Sequence, residues 1–178
     1  MQEVQIKDKV FQLYIPQERI ERRIAFLAQK ISRDMHGKDP LFLVVLNGAF
    51  MFASELFKNL SIPCQVCFAR FSSYQGTEST KEVKELIGIP ENLRGRHIVI
   101  TEDIVDTGLT VEQIQKKLHL QQPASVRIAT LLFKPEAFEK NYSTDYTGME
   151  IVNDFVIGYG LDYNGYGRNL ADIYKLKG

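Results

Sequence analysis

Apolar positions fall into two recurring textures along the chain, short continuous runs and helically spaced stripes. Leu41 to Leu46 is an unbroken apolar run, Ile98 to Ile100 is a β-branched run, and Val126 to Phe133 is interrupted only by Arg127 and Thr130. Runs of this kind suit strands of a parallel sheet buried on both faces. Between them, Ile20, Ile24, Leu27, Ala28 and Ile31 recur at helical spacing. Residues 16–36 therefore read as an amphipathic helix with Pro16 in its first turn. Phe50, Met51, Phe52, Leu56 and Phe57 carry a second helix, and Val111, Ile114 and Leu118 a third. Cys64 to Phe71 and Glu82 to Ile89 are further strands, Phe155 to Gly158 is a last short one, and Val4, Ile6, Val10 and Leu13 mark one or two strands before Pro16. Residues 136–150 are irregular and tyrosine-rich, with no element assigned. Strands alternating with helices over 41–132 predict one α/β domain, 1–178, with the site built from strand ends on one edge of a parallel sheet.

Composition narrows the classes. At 178 residues the chain can bury a core, and its 22 basic and 22 acidic residues give zero net charge and a pI near 6.8. That balance argues against a nucleic-acid or membrane-surface binder. No segment has the length of a membrane span and the first residues lack a signal pattern, so a cytoplasmic location is expected. Cys64 and Cys67 have Cys-x-x-Cys spacing, but they have no second pair and fall within an expected strand, which makes them structural, reduced thiols. His36, near the first helix's end, is read as solvated or as compensating the helix dipole.

Chemistry concentrates in Thr101-Glu-Asp-Ile-Val-Asp-Thr-Gly-Leu-Thr110. Three carboxylates arrive where the strand from Ile98 is expected to end, followed by a hydroxyl- and glycine-rich turn into a helix. Amides of Thr107, Gly108 and Leu109, with the hydroxyls of Thr107 and Thr110, form an anion cradle suited to phosphate. Carboxylates would repel that anion, so Glu102 and Asp103 suit a vicinal diol or a metal, and Asp106 suits a proton. Asn47-Gly48 closes another buried strand, where glycine allows close approach of a ligand. Ser72 to Thr80 is polar and core-poor, as expected of a surface loop or lid. Residues 159–168 are too rich in glycine and tyrosine for a regular element and read as a binding loop.

The string from Ile98 to Thr110 closely resembles the phosphoribosyl pyrophosphate (PRPP) motif of the type I phosphoribosyltransferases. Four further blocks resemble the hypoxanthine-guanine branch: residues 45–52, 71–74, 131–134 and 154–164. The resemblance implies a central, mostly parallel sheet flanked by helices, with a small hood from the N- and C-terminal segments. It implies transfer of a phosphoribosyl group from PRPP to hypoxanthine or guanine, giving IMP or GMP and pyrophosphate, with Mg²⁺ and a homodimer or homotetramer. Glu102 and Asp103 would hold the ribose hydroxyls and Mg²⁺, and Ile104, Val105, Asp106, Thr107, Gly108, Leu109 and Thr110 the 5′-phosphate segment, with Asp106 as the base. Asn47, Gly48 and Arg168 would hold pyrophosphate, the peptide before Asn47 being able to adopt a cis bond, and Ser73 and Tyr74 would lie on a lid. Lys134, Phe155, Val156 and Asp162 would bind the purine, Asp162 also beside Mg²⁺. Where relatives often carry Lys or Arg, this chain has Asn47. Two alternatives are a regulatory RNA-binding protein on the same fold, which would need a basic face, and a transferase for another base such as xanthine or a pyrimidine.

Overall fold

The computed structural model describes residues 2–73, 83–89 and 92–178. The lid residue Tyr74 and the rest of that loop lie outside the described residues; Ser73 closes a strand. A six-stranded sheet has the order β5-β4-β3-β6-β7-β8, formed by β3 (Leu41–Leu46), β4 (Gln65–Ser73), β5 (Val83–Ile87), β6 (His97–Val105), β7 (Ser125–Phe133) and β8 (Tyr146–Glu150). All neighbours are parallel except the edge strand β5.

The unbroken runs are buried on alternating faces. Phe42, Val99, Ala129 and Leu131 pack with Ile20, Ile24, Leu27 and Ile31 of α1 (Gln17–Asp34) and with Phe52 and Leu56 of α2 (Phe50–Asn59). Leu41, Leu43, Val45, Ile98, Ile100 and Ile128 pack on the other side with Val111, Ile114 and Leu118 of α3 (Leu109–His119). Each strand thus needs apolar residues at both parities, which is why its sequence does not alternate. Pro16 is the N-cap of α1, just outside the first turn where the spacing had put it. His36 lies exposed beyond the helix.

A second, antiparallel sheet of order β1-β2-β10-β9 joins both ends of the chain: β1 (Glu3–Ile6), β2 (Lys9–Ile15), β9 (Val156–Ile157) and β10 (Ile173–Leu176). Phe11, Ile157 and Tyr174 form its buried centre. This is the expected hood.

Several boundaries differ from expectation, and two strands were not expected at all. β6 runs through the carboxylates to Val105, because Glu102, Ile104 and Val105 continue the ladder with Thr130, Leu132 and Phe133. Cys64 precedes β4, and only Cys67 lies within it; both are free thiols. β8 and β10 carry no recognisable pattern: β8 is an edge strand with Gly148 at its middle, and β10 is short and paired only with distant segments.

Among the described residues, no helix is long and apolar enough to cross a membrane.

Candidate active site

Chain order places the site. From β3 the chain steps outward to β4 and β5, then returns to the other side of β3 to form β6. The crevice at such a reversal, beyond the carboxyl ends of the two central strands, is where open α/β sheets take ligands. Here those ends are Asn47-Gly48 after β3 and Glu102 to Thr110 along and after β6.

The two meet directly. A Cβ at Gly48 would lie 1.7 Å from Oδ2 of Asp103, so only glycine lets the backbone reach that carboxylate. The Leu46–Asn47 peptide is cis, and the Asn47 side chain is exposed. On the other side of Gly48 stands the 158–168 loop: a Cβ at Gly160 would lie 2.1 Å from the Gly48 carbonyl oxygen. Arg168 is held there by donating to the Gly160 carbonyl at 2.6 Å and by an ion pair of 2.6 Å with Asp162. Asp162 also accepts from the Gly165 amide at 2.6 Å. Asn47, Gly48 and Arg168 therefore share one corner, whereas Asp162 is engaged with Arg168 and its own loop. Among the described residues no three Asp, Glu, His or Cys side chains converge as a metal cluster.

Glu102 is 6% exposed although charged residues are rarely buried unpaired. Burial, reinforced by the Asp103 charge, pushes its carboxyl well above the usual range. Asp103 is also raised by burial, although its hydrogen bond from the Ile104 amide and the nearby Arg168 oppose the rise. A raised folded-state value means the folded chain holds a proton that the unfolded chain releases, so stability falls as pH rises above about 4.5, the ordinary value for Glu. Glu102→Gln is therefore expected to melt at the same temperature as the wild type near pH 4 and at a higher temperature at pH 8. Thermal melting of metal-free protein against pH checks this; a Gln variant less stable at pH 8 would show that the Glu102 charge is satisfied in the fold.

Beyond Val105 the turn encloses a hollow of about 90 Å³, lined by Glu102 and the run from Ile104 to Val111. Gly108 is the N-cap of α3 with φ of 81°, a left-handed conformation that favours glycine. Thr107 is exposed, and the Leu109 amide donates to its hydroxyl at 3.5 Å, a long contact that holds this amide only weakly. At its rim, Asp106 is half-exposed and lies 3.3 Å from Nζ of Lys134, which is itself buried. Lys134 sits there because β7 ends beside β6: its amide donates to the Val105 carbonyl at 3.0 Å.

Phe155 leaves β9's edge with 46% of its surface exposed, its ring edge-on to Tyr163 at 5.9 Å and tilted against Phe11 at 6.3 Å. Val156 is buried and paired with Lys175 across the hood. A half-exposed aromatic ring of this kind can stack on a planar base.

The unassigned segment after Lys134 proves part of this site. Phe138, Lys140 and Tyr142 close over Gly108, where a Cβ would come within 2.9 Å of each. The one clue in the sequence is its aromatic content directly after Lys134-Pro135.

An anion cradle at a strand-to-helix turn, with paired carboxylates beside it at the switch point of a hooded parallel sheet, defines a phosphoribosyltransferase-type centre. The phosphoribosyl transferase domain model matches residues 14–164. A hypoxanthine-guanine phosphoribosyltransferase of Mycobacterium bovis is 39% identical over 166 residues, covering 89% of this chain and 82% of that one. The crystal structure of a hypoxanthine-guanine phosphoribosyltransferase from Bacillus anthracis superposes with a TM-score of 0.88 at 32% identity, covering 93% and 98% of the two chains. That of Trypanosoma cruzi hypoxanthine phosphoribosyltransferase, in complex with the product IMP, does so with 0.87 at 34%, covering 98% and 97%. The chain belongs to the phosphoribosyl transferase family, in its hypoxanthine-guanine branch of enzymes.

Proposed function

We propose that this chain, acting as a single domain, transfers the 5-phosphoribosyl group of PRPP to hypoxanthine and guanine, releasing IMP or GMP and pyrophosphate. The observation that carries this reading is the 3.3 Å pair of Lys134 and Asp106 at the mouth of the anion cradle. N7 and O6 lie side by side on one purine edge. A lysine ammonium can only donate, to O6, and a carboxylate can accept, from N7–H. The pair is thus matched to a 6-oxopurine carrying its proton on N7.

In the transfer, the bond from C1′ to the pyrophosphate oxygen breaks and the bond from C1′ to N9 of the purine forms. The electron pair leaves with pyrophosphate, and the N7 proton passes to Asp106. C1′ becomes oxocarbenium-like, as in glycosyl transfer. The turn from Asp106 to Thr110 holds the 5′-phosphate by its amides and hydroxyls. Glu102 and Asp103 accept from the ribose hydroxyls, and the raised affinity of this pair for protons fits carboxylates that await a cationic or hydrogen-bonding partner. Phe155 stacks on the purine, Val156 meets the base through its backbone, and Asp162 lies toward the 2-position. Asn47, Gly48 and Arg168 take pyrophosphate.

The oxygen donors Glu102 and Asp103 suit Mg²⁺, which is commonly bound by one or two carboxylates with substrate phosphates completing the shell. When bound, Mg²⁺ neutralises the leaving pyrophosphate. Asp162 would sit beside Mg²⁺ only after parting from Arg168. The enzyme is read as cytoplasmic and as a homodimer or homotetramer, without nucleic-acid or membrane partners.

Purified protein with PRPP, Mg²⁺ and, in turn, hypoxanthine, guanine, xanthine and adenine tests the reading. IMP and GMP are expected with stoichiometric pyrophosphate; nucleotide from adenine alone would overturn it. Asn47→Lys tests the pyrophosphate corner. The exposed position gains an ammonium near several negative oxygens, so PRPP and pyrophosphate are expected to bind more tightly, and most so at low salt. Equal affinity at low salt would show that position 47 faces away from pyrophosphate.

A further inference from the structure

We propose that Tyr142 is a positioning residue for the 5′-phosphate cradle, acting through the carbonyl of Gly108. This rests on the reading of residues 106–110 as the phosphate site. The Tyr142 hydroxyl donates to the Gly108 carbonyl oxygen at 2.7 Å, and the Glu112 amide donates to the same oxygen at 3.0 Å as the first hydrogen bond of α3. That carbonyl and the Leu109 amide belong to one planar trans peptide, so fixing the oxygen fixes the direction of the N–H at the opposite edge. The Leu109 N–H is one of the cradle donors, and among the described residues its hydrogen-bond partner is the Thr107 hydroxyl at 3.5 Å. Without Tyr142, a single helical bond at a frayed helix end would orient this peptide.

The tyrosine is itself held in place. Its ring stands edge-on to Phe138 at 5.1 Å, and Phe138 edge-on to Phe133 of β7 at 5.1 Å. Lys140 between them pairs with Glu112 of α3 at 3.1 Å. Burial, with the charges of Glu112 and Glu102, pushes the hydroxyl to higher pKa, so it remains a donor at physiological pH. The same segment begins at Lys134, which faces the purine edge. The purine-reading lysine and the phosphate-orienting tyrosine are thus anchored by one short stretch, 134–142, packed across the turn that carries Asp106.

Binding of IMP and of inosine, which lacks the phosphate, separates this role from general packing. Tyr142→Phe removes one oxygen and keeps the ring. The preference for IMP over inosine is expected to fall about 3- to 10-fold in this variant, the worth of one neutral hydrogen bond. Inosine affinity should hold, and the KM for PRPP, which carries the same 5′-phosphate, should rise by a similar factor. Phe138→Leu, which loosens the stack and leaves the hydroxyl, is expected to lower the melting temperature and retain the preference. An unchanged preference in Tyr142→Phe, with the wild type favouring IMP, would overturn the role of Tyr142 alone. An equal loss in Phe138→Leu would assign the effect to packing instead. A wild type indifferent to the phosphate would overturn the cradle itself, and this inference with it.

Discussion

Asp106→Asn is expected to lower turnover by roughly 10² to 10⁴, the range over which a general base contributes, with little change in PRPP affinity. The amide keeps the shape of the side chain and still offers an oxygen to Lys134 at the 3.3 Å position, but it cannot take a proton from N7. The substitution also removes the negative partner of a buried ammonium. Because Asp106 is half-exposed, solvent screens that loss, and a small fall in melting temperature is expected rather than unfolding. Steady-state turnover together with a melting curve separates the two effects. Wild-type turnover in a folded variant would remove Asp106 from the proton transfer.

Lys134→Ala is expected to collapse use of hypoxanthine and to narrow its preference over adenine by up to about 10⁴. The physical cause is an opposed pair of donors: the 6-amino group of adenine would face the ammonium hydrogen to hydrogen, in a place where Lys134 is only 7% exposed and water cannot intervene freely. Phe155 cannot supply this discrimination, since a stacked aromatic presents the same face to either purine. Lys134→Met, which keeps most of the buried stem, guards against a packing artefact. The measurement is kcat/KM for both bases in wild type and both variants. If the values and their ratio stay put, Lys134 serves only as the counter-charge of Asp106.

Legibility of the chain followed burial. β3, β6 and β7 were readable because a strand covered on both faces carries apolar side chains at both parities, giving short near-continuous runs. The PRPP-like string was readable because its carboxylates, hydroxyls and glycine follow one another within one short stretch of chain, which makes the signal local. Its boundary was misjudged for a physical reason: polarity ordinarily marks a strand's end, but Glu102 is buried within the ladder opposite Thr130, at the cost of a strongly raised carboxyl. β8 lacks an apolar run as an edge strand, and β10 exists only through pairing with β2 and β9 far away in the chain.

By itself, then, the sequence determined which residues are chemically able to act: a glycine- and hydroxyl-rich turn, a carboxylate pair, an aspartate beside that turn, a lysine after a buried strand and an aromatic at a short one. Composition and local periodicity suffice for that, because they describe what each segment can bury or donate. Tertiary structure decided which of these groups meet. It brought Gly48 onto Asp103, paired Lys134 with Asp106, engaged Asp162 with Arg168, and set Tyr142 on the carbonyl of a glycine 34 residues earlier. Such pairings depend on distances of a few ångströms between segments that share no local pattern, fixed only when the two faces of the sheet are packed.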